Sequence, residues 1–139
     1  MNSCRHGLIL FAHGARDARW AEPFERLRTK VDARFDVLPA ERSAAGTSDT
    51  CVALAFLELM EPDLDRAADK LVADGCTALT IVPVFLGQGS HLRRDLPQLV
   101  EKLGARLPAI DIAITDAAGE DDAVLDAIAD YCVRSSSSG

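Results

Sequence analysis

The chain has 139 residues, 48% of them apolar and 27% charged, which suits one globular domain with a real core rather than a disordered or fibrous chain. A net charge of −7 argues against general nucleic-acid binding, which needs a basic face. No apolar run approaches the roughly 20 residues of a membrane helix and no signal peptide is evident, so the expectation is a cytoplasmic protein with no membrane partner.

Four cysteines, Cys4, Cys51, Cys76 and Cys132, are widely spread and form no C-x-x-C pair. They read as small apolar side chains in a reducing compartment, not as a thiolate metal site.

In chain order, residues 7–12 form a short apolar run and the first strand. Residues 22–35 place Phe24, Leu27, Val31 and Phe35 at helical spacing, with Pro23 suited to the first turn. The stretch 36–50, with Pro39, Gly46 and a Ser/Thr/Ala-rich patch, reads as a loop long enough to be functional or mobile. Residues 51–57 are apolar throughout and predict a second strand buried on both faces. Pro62 opens a second predicted helix that runs to Ala73, with Gly75 as its carboxyl cap. Residues 77–84 predict the third strand, 92–107 the third helix ended by Pro108, 110–115 the fourth strand and 120–133 the fourth helix. Asp121 and Asp122 suit the start of that last helix, where negative charge is favourable. Residues 1–134 are therefore expected to form one domain, and the patternless 135–139 a disordered tail.

Four β-α units without a hairpin signal imply an α/β fold, a doubly wound four-stranded parallel sheet covered by helices. Right-handed crossovers leave few strand orders, and 2-1-3-4, a flavodoxin-like half, is the expected one. In such sheets ligands bind beyond the carboxyl ends of the strands, where the order reverses, here between strands one and three.

Two of the three histidines fall there. His13 follows strand one in LILFAHGARD, and His91 follows strand three in FLGQGSHL. Strand two ends just before Glu58, although Glu61, three residues on, is equally able to face the crevice. Two imidazoles and a carboxylate suit a divalent transition metal such as Fe²⁺, Co²⁺, Ni²⁺ or Zn²⁺, and the same imidazoles can move protons near neutral pH. The plain alternative is that each histidine is a surface or hydrogen-bonding residue. His6 precedes strand one, so it belongs at the opposite edge as a structural residue. Gly87 and Gly89 fit a tight turn but match no phosphate-binding pattern, and no nucleophile elbow surrounds Ser90. Arg16 and Arg19 follow His13, and Arg93 and Arg94 follow His91. They form either a positive rim for an anionic ligand or ordinary ion pairs with neighbouring acids such as Asp95.

LILFAHGARD, AFLELMEPDL and VPVFLGQGSHLRRDLP, in that order and spacing, resemble the short CbiX/SirB-type sirohydrochlorin chelatases, a branch of the class II tetrapyrrole chelatases. The resemblance runs from Gly7 to Tyr131. An HG-x-RD element matches at His13, Gly14, Arg16 and Asp17, with Ala15 where many relatives have serine. An FLE element matches at Phe56, Leu57 and Glu58, and a G-x-H-x-x-x-D-x-P element at Gly89, His91, Asp95 and Pro97. The resemblance implies insertion of Co²⁺ or Fe²⁺, with Ni²⁺ a further candidate, into sirohydrochlorin on the route to cobalamin or sirohaem. It places metal handling on His13, His91 and Glu58. With such a ligand, the positive rim of Arg16, Arg19, Arg93 and Arg94 and the loop glycines Gly87 and Gly89 are the expected contacts to the tetrapyrrole. It implies a metal substrate without an organic cofactor, and a homodimer that builds one cleft from two copies. The alternative is a non-catalytic metal or tetrapyrrole carrier using the same crevice.

Overall fold

A computed structural model of the chain describes residues 5–37, 50–87 and 89–137, apart from the side chains of residues 37, 90–92 and 137. Most of the expected 36–50 loop lies outside the described residues. The elements are β1 (His6–Ala12), α1 (Glu22–Val37), β2 (Thr50–Phe56), α2 (Leu64–Ala73), β3 (Ala78–Pro83), α3 (Ser90–Arg106), β4 (Asp111–Ile114) and α4 (Asp122–Ser137), with 3-10 turns at Ala18–Ala21 and Ala118–Glu120. The sheet is parallel in the order β2-β1-β3-β4, as the β-α pattern implied.

Side-chain alternation sorts the core onto the two faces of the sheet. Ile9, Phe11, Ala55, Leu79 and Ile81 point to one face, where α2 seals them with Leu64, Ala67, Ala68 and Leu71, and α3 with Leu96 and Leu103. Leu10, Ala12, Leu54 and Phe56 point to the other, beneath Phe24, Leu27 and Val31 of α1 and Trp20. The inner strand β1 is therefore solidly buried from Ile9 to Ala12. His6, at the amino end of β1, bonds Thr80 Oγ1 through Nε2 at 2.9 Å, in keeping with a structural role away from the crevice.

Four expectations need correction. β2 is not buried on both faces: Thr50 to Ala53 are only half-buried, because β2 lies at the edge of the sheet. Pro62 does not open α2. Its peptide bond with Glu61 is cis, and the helix starts at Leu64, capped by the Asp63 side chain, which accepts from Arg66 N at 2.9 Å. α4 continues to Ser137, three residues past the boundary placed at 134. The cysteines are not uniform: Cys76 is free and buried, Cys132 is free and exposed, and Cys51 is disulfide-bonded. Burial, followed by the neighbouring Asp74 charge, pushes the Cys76 thiol up from its ordinary value.

Two other expectations hold. Gly75 follows the last turn of α2 at φ 108°, and Asp121 caps α4 by accepting from Val124 N at 3.2 Å.

Candidate active site

The carboxyl end of β1 is held from both sides. Parallel pairing with β2 continues past the strands, with Leu57 N donating to Ala12 O at 2.9 Å and Glu58 N to His13 O at 3.1 Å. On the other side Val84 N donates to Phe11 O at 2.8 Å. The chain leaves β1 at the junction of three strands, which fixes the backbone of His13 beside that of Glu58.

Gly14 makes this approach possible. Its φ is 98°, and a Cβ built on it would collide with the carbonyl oxygen of Glu58. Only glycine tolerates both the left-handed backbone and the contact. Across the gap, Leu59 also holds a positive φ, 68°, although it carries a side chain and is exposed. A left-handed leucine costs roughly 1–2 kcal/mol, so the turn that aims Glu58 is locally strained.

The side chains meet as the backbone directs. His13 Nε2 lies 3.7 Å from Glu58 Oε1, and both side chains are about half exposed. This is too long for a hydrogen bond, but it is an ion-pair distance once the imidazole is protonated. A neutral imidazole nitrogen and a carboxylate oxygen at this separation are two donors open to solvent, a pair suited to an incoming divalent metal. The ring of Phe85 meets that of His13 edge-on, with centroids 6.1 Å apart, and packs in turn against Phe11 at 6.3 Å. Phe85 thus forms an apolar wall behind the imidazole. It sits just past β3, where strand periodicity marks it only as the end of an apolar run.

The two glutamates take different partners. Glu58 faces His13, while Glu61 turns to Arg66, 3.5 Å away. His91 lies in the first turn of α3, beyond the carboxyl end of β3 and hence next to β1, but its side chain is outside the described residues. Among the described residues no cluster of three metal-ligating side chains occurs, so His13 and Glu58 stand as a pair.

Arg16, Arg93 and Arg94 are exposed, and among the described residues none has an ion-pair partner. Arg19 differs: its guanidinium bonds Asp17 at 3.2 Å, and this contact holds the Asp17 carboxyl below the usual range. Gly87 and Gly89 are exposed at negative φ or extended geometry, and a Cβ at either meets nothing within 4 Å. No tight turn therefore requires them. A cavity of about 460 Å³ runs along the β2 edge between α1 and α2, lined by Val52, Leu54, Met60 and Lys70 among others. His13 and Glu58 do not line it.

Three comparisons bear on this arrangement. The CbiX family model matches residues 7–134. The chain is 27% identical over 120 residues to a sirohydrochlorin cobaltochelatase of Sulfolobus acidocaldarius, covering 86% of this chain and 84% of that one. It is 28% identical over 100 residues to a sirohydrochlorin ferrochelatase of Bacillus subtilis, covering 66% of this chain but 38% of that longer protein. Among solved structures, a protein described as a cobalamin (vitamin B12) biosynthesis CbiX protein from Marinobacter aquaeolei VT8 superposes with a TM-score of 0.75 at 33% identity, over 96% of this chain and 99% of that one.

Proposed function

This chain belongs to the CbiX family, and from that premise we propose that it inserts Co²⁺ or Fe²⁺ into sirohydrochlorin. Two of its relatives carry the names of sirohydrochlorin cobaltochelatase and ferrochelatase. The observation that carries the reading is the pairing of His13 with Glu58 at 3.7 Å, beyond the strand ends and open to solvent.

Metal insertion exchanges two pyrrole N–H protons for one divalent ion. The residues must hold the ion briefly, release it to the macrocycle and accept or relay protons. A small set of exposed ligands serves this better than a closed tetrahedral cage, which would retain the metal. His13 and Glu58 supply one nitrogen and one oxygen donor, and His91 from the first turn of α3 completes the set. When the ion leaves, the same imidazole and carboxylate are free to take up protons.

Sirohydrochlorin carries eight carboxylates, and Arg16, Arg93 and Arg94 are exposed cations without an ion-pair partner among the described residues, at the same end of the sheet. They are suited to hold those carboxylates at the rim. Arg19 is less suited, because Asp17 already occupies it.

Two copies pair, so that a broad, flat substrate lies between two crevices, and the reaction takes place in the cytoplasm. Residues 1–134 act as one chelatase domain, a reading supported by the family match over residues 7–134. Among the described residues no helix is long and apolar enough to cross a membrane.

The test is anaerobic absorbance spectroscopy of sirohydrochlorin mixed with each metal and with wild-type or His13→Ala/His91→Ala protein. Fast insertion by the wild type and the uncatalysed rate with the double variant are expected. Equal rates from the two proteins would remove the assigned roles.

A further inference from the structure

Outside α4, two large apolar side chains among the described residues are exposed, Leu59 at 57% and Leu86 at 67%. They stand on the two loops that flank His13. Leu59 follows Glu58 past the carboxyl end of β2, and Leu86 follows Phe85 past the carboxyl end of β3. β2 and β3 are the two neighbours of β1. The loops therefore leave the sheet roughly 10 Å apart, two strand spacings, with His13 between them.

Neither leucine is exposed for want of a core to join. Met60, next to Leu59, packs with the cluster beneath α1, and Phe85, next to Leu86, packs against Phe11. Each loop turns one apolar side chain inward and leaves its neighbour in solvent. Neither backbone is free to drift. Leu59 has φ 68°, a left-handed conformation that glycine or asparagine adopts with less strain. Leu86 rests against Gly119, where a Cβ would collide with the Leu86 carbonyl, and Gly119 N donates to Phe85 O at 2.8 Å. A single exposed leucine is ordinary. Two of them fixed on either side of the His13–Glu58 pair, one in a conformation that disfavours its own residue type, point to a ligand.

We propose that Leu59 and Leu86 form a split apolar platform for the face of the tetrapyrrole and act as positioning residues in metal insertion. The assignment rests on the chelatase reading and deepens it, because it names the part of the site that receives the ring rather than the ion. The substrate is a flat ring, apolar on its faces and charged at its edge. The two leucines cover opposite parts of one face, while the exposed Arg16, Arg93 and Arg94 meet the carboxylates at the edge. The ring centre then lies over the gap between the two loops, where His13 Nε2 and Glu58 Oε1 stand 3.7 Å apart. Leucine side chains offer no donor or acceptor to the inner nitrogens, so they seat the ring without competing for the metal.

Titration of metal-free sirohydrochlorin into the full chain, followed by absorbance, tests the platform with Leu59→Asn and Leu86→Ser. Each variant should raise Kd about 10-fold or more, the effect of losing one leucine buried against the ring. Leu59→Met and Leu86→Met should recover most of the affinity, since methionine restores the apolar area. Leu59→Asn carries a further signature: its unfolding temperature should equal or exceed that of the wild type, because the left-handed strain is relieved, while its binding is weaker. Co²⁺ affinity measured without tetrapyrrole should not change in either variant. A wild-type Kd in either variant, with the wild type binding and metallating sirohydrochlorin, would overturn the platform and leave the chelatase reading standing. A fall in Co²⁺ affinity beside the weaker binding would assign the leucines to support of the metal pair instead. A change of mass in light scattering would assign them to a contact between copies, and either result would overturn the proposal. A wild type that neither binds nor metallates sirohydrochlorin would overturn the platform and the chelatase reading together.

Discussion

Replacing Gly14 by alanine should damage the site more than its single added carbon suggests. At φ 98° alanine is in the left-handed region, at a cost of roughly 1–2 kcal/mol. The new Cβ would also collide with the Glu58 carbonyl, so the two loops must separate. Separation breaks the hydrogen bond from Glu58 N to His13 O, now 3.1 Å, worth about 0.5–1.5 kcal/mol. The sum is about 1.5–3.5 kcal/mol, which for a chain of this size lowers Tm on the order of 10 °C. Since the displaced backbone is that of His13 and Glu58, turnover should fall more than about 100-fold even in protein that stays folded. Gly104→Ala provides the comparison. Gly104 lies inside α3, and a Cβ there meets nothing within 4 Å. It should be neutral or stabilising by up to about 1 kcal/mol, with turnover unchanged. Calorimetry and an initial-rate chelatase assay on the two variants suffice. Wild-type Tm and turnover in Gly14→Ala would refute the close-approach reasoning.

Other outcomes follow from the same geometry. Single His13→Ala and His91→Ala variants should each lower metal insertion more than about 100-fold, with the circular dichroism of His13→Ala unchanged because that side chain is about half exposed; retained activity in either would remove that residue from the set. Glu58→Ala should lower turnover at least about 10-fold while Glu61→Ala leaves it alone, because Glu61 faces Arg66; the reverse order would contradict the placement of the two acids. Phe85→Ala should loosen the His13 ring, raising imidazole mobility in NMR relaxation and lowering turnover, with Phe85→Tyr restoring both. Burial raises the folded-state pKa of Cys76 above that of the unfolded thiol, so its contribution to stability is complete below the unfolded value, near pH 9, and is lost as pH climbs through the folded value. The unfolding midpoint should therefore drop more steeply above pH 9 in the wild type than in Cys76→Ala, and parallel curves would show that the thiol contributes nothing.

The sheet order was legible because four apolar runs alternate with helical spacing and no hairpin turn intervenes. That order alone puts His13 between strands two and three, and the structure then brings Glu58 to it. What composition hides is position within the sheet. Residues 51–57 are apolar throughout, yet β2 is an edge strand and half-buried, because an edge still needs one covered face. Pro62 looked like a helix start because proline suits that place, but the Asp63 side chain supplies the cap instead. Glu58 and Glu61 were indistinguishable by spacing, since they flank an irregular turn with no period. The left-handed Leu59 decides between them, and no residue type announces a left-handed leucine.

The most direct measurement is turnover number. A small amount of wild-type protein is incubated anaerobically with a large excess of sirohydrochlorin and either Co²⁺ or Fe²⁺, and metallated product is counted from the absorbance change. The expected result is many equivalents of product per chain, faster than the protein-free mixture. Product that stops at one equivalent per chain, or forms no faster than without protein, would identify a carrier and contradict the chelatase reading.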